Sequence, residues 1–195
     1  IPDIVDEAHG VHIKFHDDLP LSAMQAGADM AATSVHKLGG SMTGSSVLNV
    51  KEGLISAKRV QSVLSMLTTT STSYPLLASL DTARRQLAIN GHDLLHEAIR
   101  LAKDTRKRIN SIPHLSCVGR EKLGSSATFD MDPTKLLISV KDLGITGHEA
   151  EEWLRQNANL EVELSDLYNI LCIVTIADTK KEMNLLVNAL TRLSK

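Results

Sequence analysis

The longest regular pattern in this sequence begins at Pro75. Apolar residues recur at i, i+3 or i+4 through Leu77, Leu80, Ala83 and Leu87, then through Leu94, Leu95, Ile99 and Ala102. That spacing predicts one long helix, with a stop near Ile112-Pro113, because proline cannot continue a helix. Gly91 lies inside the pattern and predicts a kink or break. A helix of this length divides the chain into two regions, and the two read differently.

Before the helix, short apolar runs alternate with helical ones. Pro2 to Asp6 reads as a strand, Leu21 to Ala26 as a short helix and Ala28 to Val35 as a strand. An irregular loop marked by Gly39, Gly40 and Gly44 follows, then a strand over Ser46 to Val50 and a helix over Leu54 to Met66. The hydroxyl run Thr68 to Ser73 is unsuited to a helix interior, since such side chains compete for the backbone. After the helix the pattern becomes α+β. Strands are expected at Leu115 to Val118, Leu136 to Val140, Glu161 to Leu164 and Ile170 to Ile176, with helices starting at Thr146 and Thr179. Glu149 and Glu182 stand three residues after those threonines, the spacing of a capping box. The fold class is therefore α/β, with a boundary between two lobes around residues 91–113. The opening Ile1-Pro2-Asp3-Ile4-Val5-Asp6 starts almost within a strand and carries no Met or signal segment, so a fragment of a longer chain is expected.

Charge and cysteine content narrow the function classes. A net charge of −2 offers no basic field for nucleic acid and no polybasic run for a membrane surface. No apolar stretch reaches the roughly 20 residues of a spanning helix. The 2 cysteines, Cys117 and Cys172, lie far apart and form no CxxC pair, which favours a reducing, cytoplasmic compartment over a disulfide framework.

Two clusters carry chemistry: Asp6-Glu7-Ala8-His9-Gly10 and Ser34-Val35-His36-Lys37. Each follows an expected strand, and in a parallel arrangement both strands end at the same edge, where open α/β sheets bind ligands. Pyridoxal 5'-phosphate asks for such a set. A lysine amine must bond its aldehyde, a carboxylate must keep its pyridine nitrogen protonated, hydroxyl or N–H groups must take its phosphate, and a small residue must lie against the ring. Lys37, Asp6, Ser34 and Ala8 offer these roles in that order. Singly, an Asp at a strand end is a cap and a His-Lys pair is a solvated surface; the combination is the specific signal.

These segments also carry a family resemblance. Asp6-Glu-Ala-His-Gly, Gly27-Ala-Asp and Ser34-Val-His-Lys-Leu-Gly-Gly-Ser resemble the pyridoxal-phosphate-dependent ornithine/lysine/arginine decarboxylases of aspartate-aminotransferase-like fold. The likeness continues through Thr68-Thr-Thr-Ser-Thr-Ser-Tyr-Pro-Leu-Leu-Ala-Ser-Leu-Asp, Gly147-His-Glu-Ala-Glu and Glu161-Val-Glu-Leu-Ser-Asp-Leu-Tyr-Asn, and is closest to the shorter bacterial branch. It implies that residues 1–90 are the C-terminal part of the cofactor-binding large domain with a mostly parallel sheet, residues 91–112 a linking helix and residues 113–195 a smaller α+β C-terminal domain. It implies Lys37 as the cofactor lysine, Asp6 at the pyridine nitrogen, Ala8 on the ring, and Ser34 and His36 at the phosphate. His9 is implied near the cofactor 3′-oxygen or the substrate carboxylate, and either His9 or His36 in the proton steps. It implies Thr69, or its neighbours Thr68, Thr70 and Ser71, at the phosphate of a partner subunit, hence a homodimer or larger homo-oligomer. The implied reaction is decarboxylation of arginine, lysine or ornithine in polyamine biosynthesis. The alternatives are an aminotransferase or lyase of the same fold, or a truncated non-catalytic remnant. Thr72 stands where the family often has Pro, Gly44 where it often has Gln, and the family's ring-stacking histidine and phosphate loop fall upstream of Ile1.

Other features read as structural. His9, His12 and His16, with Asp17 and Asp18, could hold a divalent metal, but the spacing fits solvated loop histidines better, and no metal is expected. Gly39-Gly40 lacks the Lys-Ser/Thr of a phosphate-binding P-loop. Arg84-Arg85 and Lys103 to Arg108 read as a solvated helix face, and Trp153 as core packing. Glu161, Glu163 and Asp166 suit either a basic substrate or an exposed strand edge.

Overall fold

A computed structural model describes residues 1–125 and 127–195, and they fall into two units, 1–93 and 94–195.

In the first unit, β1 (Ile4–Asp6) pairs in parallel with β2 (Met30–Thr33), Asp6 opposite Ala32, and β2 pairs antiparallel with β3 (Val47–Val50), Thr33 opposite Val47. The sheet order β1-β2-β3 puts β2 at the centre. The expected mostly parallel sheet is thus corrected to a mixed one. A parallel return needs a crossover of a dozen or more residues, usually a full helix. Here the connection after β2 holds only the single turn α1 (Val35–Leu38), and Gly40 and Gly44, both at positive φ, reverse the chain.

The helix expected over Leu21 to Ala26 is replaced by turns. Ser22 and Gln25 hydrogen-bond each other's backbone N–H through their side chains, and Gly27 at φ 104° ends the segment after one turn. Helix α2 (Ala57–Leu67) has Ser56 as its N-cap, and the run Thr68 to Ser73 lies outside regular helix as the sequence predicts.

Helix α3 (Tyr74–Ile109) contains the division between the units. It runs through Gly91 without the break the sequence suggests. A methyl at Gly91 would lie 3.4 Å from Phe15 Cβ, so the position sits under a packed aromatic ring. The cost of a helical glycine, about 1 kcal/mol relative to Ala, is absorbed by tertiary packing.

In the second unit, β4 (Ser116–Cys117), β5 (Lys135–Ser139), β6 (Leu164–Ser165) and β7 (Asn169–Ile173) form an antiparallel sheet of order β4-β5-β7-β6. Buried and half-buried residues alternate along β5, as expected where one sheet face meets the core. Leu136, Ile138 and Ile170 join Leu154 of α4 (Gly147–Ala158) and Leu190 of α5 (Lys180–Leu193) in one cluster. Both capping boxes form, Thr146 with Glu149 and Thr179 with Glu182. The strand expected from Glu161 shrinks to Leu164–Ser165, and Glu161 instead pairs with Arg155 at 2.9 Å.

The basic helix face needs one correction. Arg106 is turned inward, where its Nε donates to the Val118 carbonyl (2.8 Å) and its Nη2 to those of Pro133 (2.9 Å) and Lys135 (2.8 Å). Arg84 keeps the solvated arrangement, bonded to Asp81. Trp153 packs against the core with Arg192 over its ring at 5.3 Å, a cation–π arrangement. Among the described residues no helix is long and apolar enough to cross a membrane.

Candidate active site

The parallel register of β1 and β2 brings the two sequence clusters to one sheet edge, because Asp6 and Ala32 are partners at the strand ends. Beyond β1 the chain folds back tightly. Ala8 N donates to Asp6 Oδ1 (3.0 Å) and Gly10 N to the Glu7 carbonyl (2.9 Å). A Cβ at Gly10 would stand 2.3 Å from Glu7 Cγ, so only glycine fits while Glu7 keeps this rotamer. Glu7 keeps it because Oε1 accepts the Ala23 N–H at 2.6 Å. This turn carries His9, half-buried, towards the second cluster.

Beyond β2, Ser34 is extended and caps α1 without using its hydroxyl for the cap. His36 and Lys37 follow on that single turn. Lys37 is exposed, and its Nζ lies 3.0 Å from His9 Nε2. His36 points elsewhere: its Nδ1 lies 2.8 Å from the Ser45 carbonyl, which also accepts the His36 backbone N–H at 3.3 Å. A carbonyl only accepts, so His36 carries its proton on Nδ1. Ser45 is braced in turn, its hydroxyl bonded to Ser41 Oγ and to the Met42 carbonyl (2.8 Å).

The structure therefore joins Lys37 to His9 and Asp6 to Ala8, and sets Ser34, His36 and Lys37 on one capped turn at the same edge. Thr69 is not part of this group. It is exposed between α2 and α3, its Oγ1 accepts the Ser71 N–H at 3.1 Å, and among the described residues no hydrogen bond links it to the Asp6–Lys37 edge.

A model of the family described as Orn/Lys/Arg decarboxylase, major domain, matches residues 1–182. The chain belongs to that family. An arginine decarboxylase of Bacillus anthracis is 68% identical over 194 residues, covering 100% of this chain and 39% of the relative. Across the arginine decarboxylases it matches, this decarboxylase-family chain spans about two fifths of their length. In fold it is similar to the Francisella novicida lysine decarboxylase LdcF, with a TM-score of 0.80 at 23% identity over 97% of this chain and 32% of that one. It is also similar to a Nostoc alanine–glyoxylate aminotransferase, with a TM-score of 0.71 at 17% identity over 98% of this chain and 53% of that one. The family resemblance read from the sequence and its aminotransferase-like fold are both borne out.

Several features of this decarboxylase-family chain escape sequence reasoning. The histidines expected in a solvated loop are largely buried: His12 is 3% and His16 is 9% exposed. His16 stacks on His92 of α3, ring centroids 4.7 Å apart, while its Nδ1 accepts the Asp18 N–H at 3.1 Å. Among the described residues no three His, Cys, Asp or Glu side chains gather to hold a metal ion. The support from Glu7 and Ser45 was also missed. The glycine- and serine-rich loop after Lys37 was its only signal, and that signal does not say which carbonyl His36 meets. A cavity of about 720 Å³ in the same unit is lined by Glu7, Thr33, Val35, Leu80 and Leu87, and neither Asp6 nor Lys37 borders it.

Proposed function

We propose that this chain is the cofactor-lysine segment of a pyridoxal-phosphate-dependent decarboxylase acting on a basic amino acid, arginine ahead of lysine and ornithine. The observation that carries the reading is Lys37 Nζ on His9 at the strand edge shared with Asp6, in a chain of this family. The names of the relatives favour arginine.

The donor set fits the cofactor. It comprises an exposed primary amine, a carboxylate at the exit of the neighbouring strand, a serine hydroxyl not used for capping, and a small alanine between Asp6 and His9. When bound, pyridoxal 5'-phosphate supplies an electron sink for the bond to the departing carboxylate. Lys37 would hold it covalently. The Asp6 carboxylate would face the ring nitrogen and favour its protonated form, since opposite charge stabilises a cation. Ala8 would pack on the ring, and Ser34 and His36 would take the phosphate. Thr69, with Thr68, Thr70 and Ser71 beside it, would serve the phosphate of a second copy, making the assembly a homodimer or larger. Its exposure, next to the exposed Met66, Leu67 and Tyr74, supports that reading. The proposed setting is the reducing cytoplasm, consistent with the free thiols of Cys117 and Cys172, and the proposed role is supply of an amine for polyamine biosynthesis.

The test supplies arginine, lysine and ornithine separately to the full-length protein with cofactor and measures carbon dioxide and amine by mass spectrometry. Borohydride treatment and peptide mapping follow. Amine from one of the three and a pyridoxyl label on Lys37 are expected. A keto acid as product would move the protein to the aminotransferases. No product and no label would support a non-catalytic remnant.

A further inference from the structure

We infer that His9 is the proton partner of Lys37, taking onto Nε2 the proton that Nζ must release before the lysine nitrogen can act as a nucleophile. This rests on the reading of Lys37 as the cofactor lysine, but it concerns two side chains of this chain alone.

Geometry separates His9 from His36. Lys37 Nζ and His9 Nε2 stand at 3.0 Å, within hydrogen-bonding range. An ammonium has donors and no lone pair, so the imidazole nitrogen must accept, which it does only when neutral. His36 is adjacent in sequence on α1, yet consecutive helical side chains diverge rather than face each other, and its ring is held by the Ser45 carbonyl at 2.8 Å. Ser45 is itself fixed through Ser41 and Met42. His36 is thus built as an anchor, and His9 is the imidazole within reach of the amine.

The proton transfer is an exchange between these two side chains. Of the carboxylates on the β1 turn, Asp6 accepts the Ala8 N–H and Glu7 the Ala23 N–H. The step is balanced: lysine ammonium and neutral imidazole become lysine amine and imidazolium, with no bond to carbon made or broken. When the amine is displaced again, the same proton returns by the reverse path. His9 is therefore a positioning and proton-holding residue acting through Lys37.

The test reads lysine reactivity rather than turnover. The full-length protein, stripped of cofactor, is treated with acetic anhydride at neutral pH, and acetylation of Lys37 is measured by peptide mass spectrometry relative to exposed Lys14. An ordinary lysine is almost wholly protonated and inert at that pH. The Lys37-to-Lys14 ratio is expected to fall about tenfold or more in His9→Gln and His9→Ala, the scale of a lost general base. Added imidazole should restore it in His9→Ala, where the side-chain space is open, and not in His9→Gln. An unchanged ratio in His9→Gln, a loss that imidazole does not rescue, or an equal loss in His36→Gln would each overturn the assignment. Borohydride trapping with cofactor on the unaltered protein is run alongside. Failure to label Lys37 there would sink the cofactor reading, while the acetylation ratios would still decide the role of His9.

Discussion

In residues 94–195, α4 and α5 bury Leu154 and Leu190 completely in one cluster with the sheet residues Leu136, Ile138 and Ile170, whereas in residues 1–93 helix α2 buries none of its residues and leaves Met66 and Leu67 more than three-quarters exposed. The first unit's buried sheet cluster is small, built on Ala23, Ala28 and Ala31. Every residue proposed to hold the cofactor lies in this sparsely covered unit. The residues proposed for chemistry and the larger buried cluster therefore lie in different units. Large exposed apolar patches mark surfaces suited to association, which accords with the proposal that Thr69, at the end of α2, serves a second copy.

Four tests would break or sharpen that comparison. The largest effect is expected from Lys37→Ala. Amine production should fall at least about a hundredfold, while the unfolding midpoint stays in place because Lys37 is exposed and its removal opens no core. A large drop in midpoint would show that the site is also a structural support.

Next is a matched pair. Leu154→Ala, at a position with 0% exposure, should cost about 2–5 kcal/mol in a denaturant titration. Leu67→Ala, at 79% exposure, should change stability by no more than about 0.5 kcal/mol. Equal costs would mean that α2 is covered in solution, and a concentration-dependent cost at Leu67 would identify a second copy as the cover.

Thiol reactivity probes the second unit without substitution. Burial pushes the Cys117 thiol up to about 11, and burial together with neighbouring Cys117 pushes Cys172 up to about 12. Since the thiolate is the nucleophile, maleimide labelling at pH 8 should run about a hundredfold slower at Cys117 and about a thousandfold slower at Cys172 than at a free cysteine. Fast labelling would show that the second unit opens readily.

The smallest effect concerns the caps. Thr146→Ala should cost about 1 kcal/mol. Glu149 is held below its ordinary carboxyl value of 4.5 by the Thr146 backbone N–H, then by the Thr146 hydroxyl, and Glu182 by the Thr179 hydroxyl first. A carboxyl with a lowered folded value stabilises the native state fully above 4.5, and that contribution disappears as pH falls through the lowered value. Circular dichroism melts should show the second unit losing stability below about pH 4.5, with a shallower loss in Thr146→Ala.

Much of this arrangement was legible because its causes are local. The Thr146 and Thr179 caps, the long helix of regular apolar spacing and the alternation along β5 depend on residues within a few positions of one another. Grouping Asp6 with Lys37 needed only one further step, that two successive strands share an edge. The failures involve partners distant in sequence. Gly91 suggests a break until Phe15 is seen above it. Arg106 belongs to a basic run until three carbonyls claim it, and His16 looks solvated until His92 stacks on it. The direction of β3 is invisible too, because a glycine-rich loop permits more than one return path.

The sequence by itself determined the family, the order of most secondary-structure elements and the residue types available at the strand edge, since periodicity, caps and motif residues are properties of neighbours along the chain. Only the tertiary structure decided that His9 rather than His36 meets Lys37, that β3 runs antiparallel and that α4 and α5 bury their apolar faces while α2 buries none of its residues. Those outcomes depend on which distant groups satisfy each other's hydrogen bonds and exclude water, and a pattern of near neighbours does not contain that information.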